Sequence, residues 1–204
     1  MSITVKRQQG GRVSNALHDE VRIGDILHLG AVSGDFSLHS YERRTVLIAG
    51  GSGITPFMSM LEDVASHRSS QPLDIHLFYF ARTASDFIFS DRLVQMAALI
   101  PGFSYTSIVT DNGDTDDNGH LCLAHIDPQN LGFSNSQALL CGPLGFMDSA
   151  AAILKEAGIN EELLYRESFG LGNSYPSKER LAVVSGSVTF SKSGHRVETD
   201  GKSS

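Results

Sequence analysis

One stretch of this 204-residue chain constrains the fold more than any other. Thr45-Val46-Leu47-Ile48-Ala49 is a short, apolar, β-branched run, and Gly50-Gly51-Ser52-Gly53 follows it without a break. Such a run reads as a strand buried on both faces, the pattern of a parallel sheet. Ile54, Phe57, Met58, Leu61, Val64 and Ala65 then recur at helical spacing. The strand–turn–helix pattern repeats. Leu73–Phe80 reads as a second strand, and Asp91–Ile100 as a helix carrying Leu93, Met96, Ala97 and Ile100. Tyr105–Val109 is a third strand and Ala138–Cys141 a fourth. Gly142-Pro143 breaks that strand, and a helix then runs to Ala157 with Leu144, Met147, Ala151 and Leu154 on one face. Gly158 stands where a helix-terminating glycine belongs, and Glu162–Phe169 supplies a fifth strand. Strands alternating with helices predict an α/β fold, with a parallel five-stranded sheet and helices on both faces.

The two ends read differently. Residues 2–30 suggest a strand over Ile3–Lys6 and a Gly-Gly turn. A short helix carrying Val13, Leu17 and Val21 follows, then a strand near Asp25–Leu29. One helix and two strands are too little to bury a core of their own. Gly170–Arg180, rich in Gly, Ser and Asn, reads as a linker. Leu181–Ser204 reads as a hairpin, Val183–Phe190 and His195–Thr199 around Ser193-Gly194, which is marginal in isolation.

Composition excludes several classes of function. Hydrophobic residues at 41% and charged residues at 19% describe a globular chain. No apolar run is long enough for a membrane span, and the N-terminus has no apolar signal core. Two cysteines make no disulfide framework, so a reducing, cytoplasmic setting is expected. The net charge is −7 and the 16 basic residues are scattered, which argues against a nucleic-acid surface. The eight histidines lack metal-ligand spacing, and no metal site is expected. Asp114, Asp116, Asn118 and Gly119 fit the first positions of a calcium loop, but His125 stands where the bidentate Glu is required. Asp111–Gly119 therefore reads as an exposed acidic loop.

The chemistry concentrates at glycine turns. Gly51-Ser52-Gly53-Ile54-Thr55-Pro56 lies between a strand and a helix. Glycines let a backbone come close to a diphosphate, and a helix N-terminus offers free N–H groups and a positive dipole end. Pro56 is harmless in a first helical turn. The turn is not the standard dinucleotide fingerprint, whose third Gly is Pro56 here. It is also neither a Walker loop nor a nucleophile elbow. Cys141-Gly142-Pro143 repeats the geometry at the end of the fourth strand, where open α/β sheets bind ligands. Cys141 there either touches a ligand or is a buried, inert thiol. Gly10-Gly11-Arg12-Val13-Ser14 opens a helix in the same way, as a phosphate site or a plain turn.

Taken in order, these motifs resemble the ferredoxin–NADP reductase superfamily. Gly10-Gly11-x-x-Ser14-x-x-Leu17-His18-Asp19, Gly24-Asp25 and Gly34-Asp35-Phe36 look like the second half of its flavin-binding barrel. Gly51-x-Gly53-Ile54-Thr55-Pro56, Ala81-Arg82-Thr83, Cys141-Gly142-Pro143-x-x-Phe146-Met147 and Glu167-Ser168-Phe169 look like its pyridine-nucleotide domain. Val188-Thr189-Phe190 through Asp200-Gly201-Lys202-Ser203-Ser204 looks like the opening of a plant-type [2Fe–2S] ferredoxin domain. The pattern resembles hybrid reductases, and the resemblance implies a chain cut short at both ends. The resemblance divides the chain into a partial flavin barrel (1–43), an NAD(P)-binding domain (44–170), a linker (171–182) and the start of a ferredoxin-like domain (183–204). The ends are thus expected to be remnants of a β-barrel and a β-hairpin.

The resemblance implies a role for each motif. NAD(P)H would deliver a hydride to FAD, and electrons would leave singly toward a redox partner such as an oxygenase or an iron–sulfur protein. Gly51, Gly53, Thr55 and Pro56 would hold the nicotinamide dinucleotide's diphosphate. Cys141, with Gly142 and Pro143, would sit by the nicotinamide ring. Arg82 and Thr83 would lie near the adenosine ribose, with NADH and NADPH both open. Gly10, Gly11 and Ser14 would contact the flavin diphosphate. Glu167 and Phe169 would face the flavin–nicotinamide junction, with Cys141 and Glu167 as the catalytic pair. The Arg-x-Tyr-Ser flavin motif and the Cys-x4-Cys-x2-Cys run of intact members are not in this chain, whose only cysteines are Cys122 and Cys141. Four thiolates are needed for the cluster, so [2Fe–2S] belongs to intact relatives only. The alternative is an NAD(P)-binding fragment that binds the nucleotide without turning it over.

Overall fold

The computed structural model describes residues 2–28, 30, 34–41, 43–67, 73–111, 135–169, 186–189 and 196–199. Five strands form one sheet: β1 (Thr45–Gly50), β2 (Ile75–Ala81), β3 (Phe103–Val109), β4 (Gln137–Cys141) and β5 (Leu164–Glu167). Their spatial order is β3-β2-β1-β4-β5 and every pairing is parallel. Every residue of β1 and β4 is buried, as apolar runs without alternation require.

Helices cover both faces. On one, α2 (Ile54–His67) and α3 (Ser90–Leu99) set Phe57, Leu61, Leu93 and Met96 against Leu47, Leu77, Tyr79 and Leu139. On the other, α4 (Leu144–Glu156) sets Met147, Ala150 and Leu154 against Val46, Ile48, Phe78 and Leu140. Burying each such Leu, Ile or Phe stabilises the fold by roughly 1.5–3 kcal/mol. Gly158 follows α4 at φ +94°, as expected of a helix-terminating glycine.

The order has a functional consequence. The chain enters the sheet at its centre, runs outward through β2 and β3, and crosses back to β4 on the opposite side of β1. The connections from β1 and β4 therefore diverge, and a crevice opens between them at the strands' carboxyl ends.

The N-terminal part departs from its expected structure. The helix forms as α1 (Arg12–Asp19), but neither residues 3–6 nor residues 25–28 form a strand. A strand needs a ladder partner, and none lies beside these segments among the described residues. No residue from 2 to 28 is buried. Residues 186–189 (β6) and 196–199 (β7) pair antiparallel, which gives the hairpin. The linker, the calcium-like pattern from Asp114 to His125 and Cys122 lie outside the described residues.

Candidate functional site

The carboxyl rim of the sheet carries a cleft of about 740 Å³, within the size range of small-molecule and cofactor sites. One wall is the β1 turn, Gly50 to Gly53, and the facing wall is Gly142 and Pro143 after β4. Arg82 and Asp86 close it beyond β2, Lys6 comes from the N-terminal segment, and Phe169 stands beyond β5.

Close backbone approach builds this rim. Gly51–Gly53 makes one tight helical turn that runs into α2. A Cβ on Gly53 would collide with the Cys141 carbonyl and come 2.8 Å from the Gly142 nitrogen. Gly53 lacks a side chain because the end of β4 lies against it. Gly51 adopts φ +55°, and its Cβ position meets only the Lys6 Nζ, at 3.6 Å. The Thr55 hydroxyl donates to the Ser52 carbonyl at 3.1 Å and fastens the turn to the helix. The first turn of α2 has no acidic residue, so its positive dipole end is uncompensated there.

The charges favour an anion. Lys6 and Arg82 face one carboxylate, Asp86, across the cleft. Thr83 holds that carboxylate in place: its hydroxyl donates to Asp86 Oδ2 at 2.8 Å and its backbone N–H donates to the same oxygen at 3.1 Å. These bonds hold the Asp86 carboxyl below the usual range, with Arg82 and Lys6 acting in the same direction.

Of the residues expected from sequence, Gly51, Gly53, Arg82, Gly142, Pro143 and Phe169 line this one cleft. Thr55 and Pro56 shape the helix start behind it, and Thr83 acts through Asp86. Cys141 does not reach the cleft. It is fully buried in the cluster under α2, because it shares that face of β4 with Leu139. Burial, reinforced by the Glu167 carboxylate, pushes its thiol up to about 12. At neutral pH it is a neutral thiol and no nucleophile. Glu167 is its neighbour in the β4–β5 register, and burial raises the Glu167 carboxyl above its ordinary range.

Gly10, Gly11 and Ser14 stand apart from the cleft. The Ser14 hydroxyl accepts from the Gln8 N–H at 3.1 Å, and α1 starts without a side-chain cap. Gly10 is open, with no atom within 4 Å of a Cβ. The Gly11 N–H donates to the Gln8 carbonyl at 2.9 Å, and the helix N–H groups left open to a phosphate form a single wall. The chain's two cysteines do not fit a [2Fe–2S] cluster, which needs four thiolates. Among the described residues, no group of three or more His, Cys, Asp or Glu could hold a metal ion. Lys6 is a cleft-lining residue that sequence reasoning missed. It is far from Gly51 in the chain, and no spacing rule connects them.

Residues 47–152 match the family model of the oxidoreductase NAD-binding domain. The chain belongs to the ferredoxin–NADP reductase superfamily. Among its relatives in this superfamily, the toluate 1,2-dioxygenase electron transfer component of Pseudomonas putida is 30% identical, over 83% of this chain and 50% of its own length. A flavohemoprotein of Pseudomonas putida is 36% identical, over 82% of this chain and 43% of its own length. The FAD/NAD-binding domain of a Vibrio cholerae nitric oxide dioxygenase superposes with a TM-score of 0.70 at 30% identity, covering 81% of this chain and 70% of that one. This ferredoxin–NADP reductase relative thus spans about half the length of the curated proteins it matches. No helix among the described residues is long and apolar enough to cross a membrane.

Proposed function

We propose that the chain is the NAD(P)H-oxidising part of a flavin-dependent electron-transfer reductase, serving an oxygenase or iron–sulfur partner. One observation carries this reading: two glycine turns, a helix N-terminus, Lys6 and Arg82 converge on a single cleft at the switch point of the sheet. The similarity to the toluate 1,2-dioxygenase electron transfer component supports the kind of partner. The cofactors supply the redox chemistry, hydride donation by NAD(P)H and one-electron release by FAD.

The chain's own residues position and shield. The N–H groups of Gly51–Gly53, with Thr55 and Pro56 holding the turn, take the diphosphate, and Lys6 neutralises it. Arg82, Thr83 and Asp86 take the adenosine end, and Gly142 and Pro143 give the nicotinamide end a flat backbone wall. Glu167 lies beside Cys141 at the carboxyl ends of β4 and β5, and Cys141 fills space there as a neutral thiol. Phe169, 60% exposed, offers a ring face at the junction with the flavin. Gly10, Gly11 and Ser14 contribute one wall to the FAD diphosphate.

We place the domain boundaries at 1–43, 44–170, 171–182 and 183–204, because the sheet runs from Thr45 to Glu167 and the family match falls inside it. The last segment is the start of a ferredoxin-like domain. We propose a cytoplasmic location, a reading that the low cysteine content of the chain supports. The single-walled flavin contact favours a second reading, a nucleotide-binding fragment without turnover.

Absorbance separates the two. A purified chain that carries flavin colour and bleaches on adding NADH or NADPH is the reductase. A colourless chain that still binds the nucleotide is the fragment. A chain that binds neither nucleotide contradicts both.

A further inference from the structure

Thr4, Val5, Lys6 and Gln8 form one side of the cleft, yet no burial fixes them there. Polar bonds to α1 hold the segment instead. The Gln8 N–H donates to the Ser14 hydroxyl, and His18 Nε2 lies 2.9 Å from the Val5 carbonyl oxygen. The strongest tie is Arg7, whose two terminal nitrogens donate to the two Asp19 carboxylate oxygens, each at 2.7 Å. Neighbouring residues thus reach different targets. The Lys6 Nζ extends into the cleft, 3.6 Å from the Cβ position of Gly51, while Arg7 is pinned to α1.

Asp19 is poorly placed for the helix that carries it. It is the last residue of α1, the end at which the helix dipole disfavours a carboxylate. Both partners of the pair are exposed, and an exposed ion pair adds little to stability. A bidentate guanidinium–carboxylate pair does give direction, because two parallel bonds fix how the two groups sit relative to each other. An ammonium on a flexible four-carbon stem depends on such a fixed base to stay aimed. We infer that Arg7 and Asp19 are positioning residues, a clamp between residues 5–8 and α1 that aims Lys6 at the Gly51 turn. The inference rests on the reading of the cleft as a pyridine-nucleotide site, with Lys6 facing the diphosphate.

Charge gives the test its sign. Asp19→Asn makes a chain of net charge −7 less negative, so the electrostatic field alone would strengthen the binding of an anion. The clamp demands the opposite. The test titrates the full chain at low salt with NADH, or with NADPH should only that bind, and follows folding by thermal melting. Asp19→Asn weakens binding by about fivefold at an unchanged melting temperature. Asp19→Glu keeps a carboxylate for Arg7 and binds within about twofold of the parent. In the Lys6→Gln background the Asp19→Asn change costs nothing further, because there is no ammonium left to aim. An Asp19→Asn chain that binds as well as the parent, or better, overturns the inference. So does a loss that persists undiminished in the Lys6→Gln background, which would make the pair merely structural. A Lys6→Gln chain with the parent's affinity overturns it as well. A parent that binds neither NADH nor NADPH overturns the cleft reading and the inference together, whereas the other three results remove the clamp and leave the cleft standing.

Discussion

Two glycine-led helices in this chain share local chemistry and differ in everything around them. Gly10-Gly11 opens α1 and Gly51-Ser52-Gly53 opens α2. Both offer uncompensated N–H groups, and neither has an acidic residue in its first turn. α2 rises from a fully buried strand, and its opening turn is pressed against the end of β4. α1 has no buried residue, and Val13 on it is 69% exposed. Ile23 and Ile26, just beyond α1, are also largely exposed. A helix N-terminus becomes a ligand site when other walls face it. The β1–β4 switch point gives α2 those walls, and the described residues give α1 none.

Substitutions sharpen this contrast. The largest difference is expected between Gly53→Val and Gly11→Ala. The valine has no room beside the Cys141 carbonyl, so it abolishes the cooperative melt instead of merely weakening a ligand. The Gly11 Cβ meets the Ser14 hydroxyl at 2.7 Å and the Gln8 Cβ at 2.9 Å, but it sits in a segment with no buried residue, so the substitution shifts that segment and leaves the cooperative melt of the sheet in place. A Gly53→Val chain that melts like the parent breaks the comparison. Next, Leu139→Ala removes a fully buried side chain and costs about 2–5 kcal/mol in urea unfolding. Ile26→Ser, at a residue 84% exposed, stays within about 0.5 kcal/mol. A comparable loss at Ile26 would mean that the N-terminal segment has a core of its own.

Smaller effects follow from charge. Lys6→Gln weakens nucleotide binding by about tenfold at low salt, and the gap narrows as salt rises, as for any partly exposed charge pair. An unchanged affinity takes Lys6 out of the site. The smallest effect is a pH slope. Burial first, and Arg44 second, lower the pKa of His76, whose ring nitrogens lie 2.8 Å from the Ser104 hydroxyl and 3.0 Å from that of Thr106. Asp74 opposes the shift but does not reverse it. The folded chain therefore takes up this proton at a lower pH than the unfolded chain. The stability that His76 contributes is full above the ordinary imidazole value of 6.5 and is lost as pH falls through and below it. His76→Asn should flatten that slope in urea midpoints measured from neutral to mildly acidic pH. An unaltered slope assigns it elsewhere.

Most of the sheet was legible because buried parallel strands and amphipathic helices leave strong periodic signals. Val46–Ala49 and Ala138–Cys141 could hardly be anything else. The strand expected at Ile3–Lys6 did not form, nor did the described part, 25–28, of the one expected at Asp25–Leu29, because strand formation depends on a partner that local pattern does not encode. The site was legible as far as its backbone turns. The sequence order placed Gly53 and Cys141 at one rim, and the structure puts them in contact. Two details depended on three-dimensional register. Cys141 points under α2 with Leu139, away from the cleft, and Gly53 is glycine because of its neighbouring strand. Lys6 escaped notice because its partner, Gly51, is remote in sequence and meets it only at the folded rim.

The central claim is that a pyridine dinucleotide lies in the cleft between the ends of β1 and β4. Amide chemical-shift mapping during a titration with NADH tests it directly. Saturable shifts should concentrate at Gly51, Ser52, Gly53 and Gly142, with smaller ones at Arg82. No shifts with either NADH or NADPH, or shifts confined to Gly10–Ser14, would contradict it.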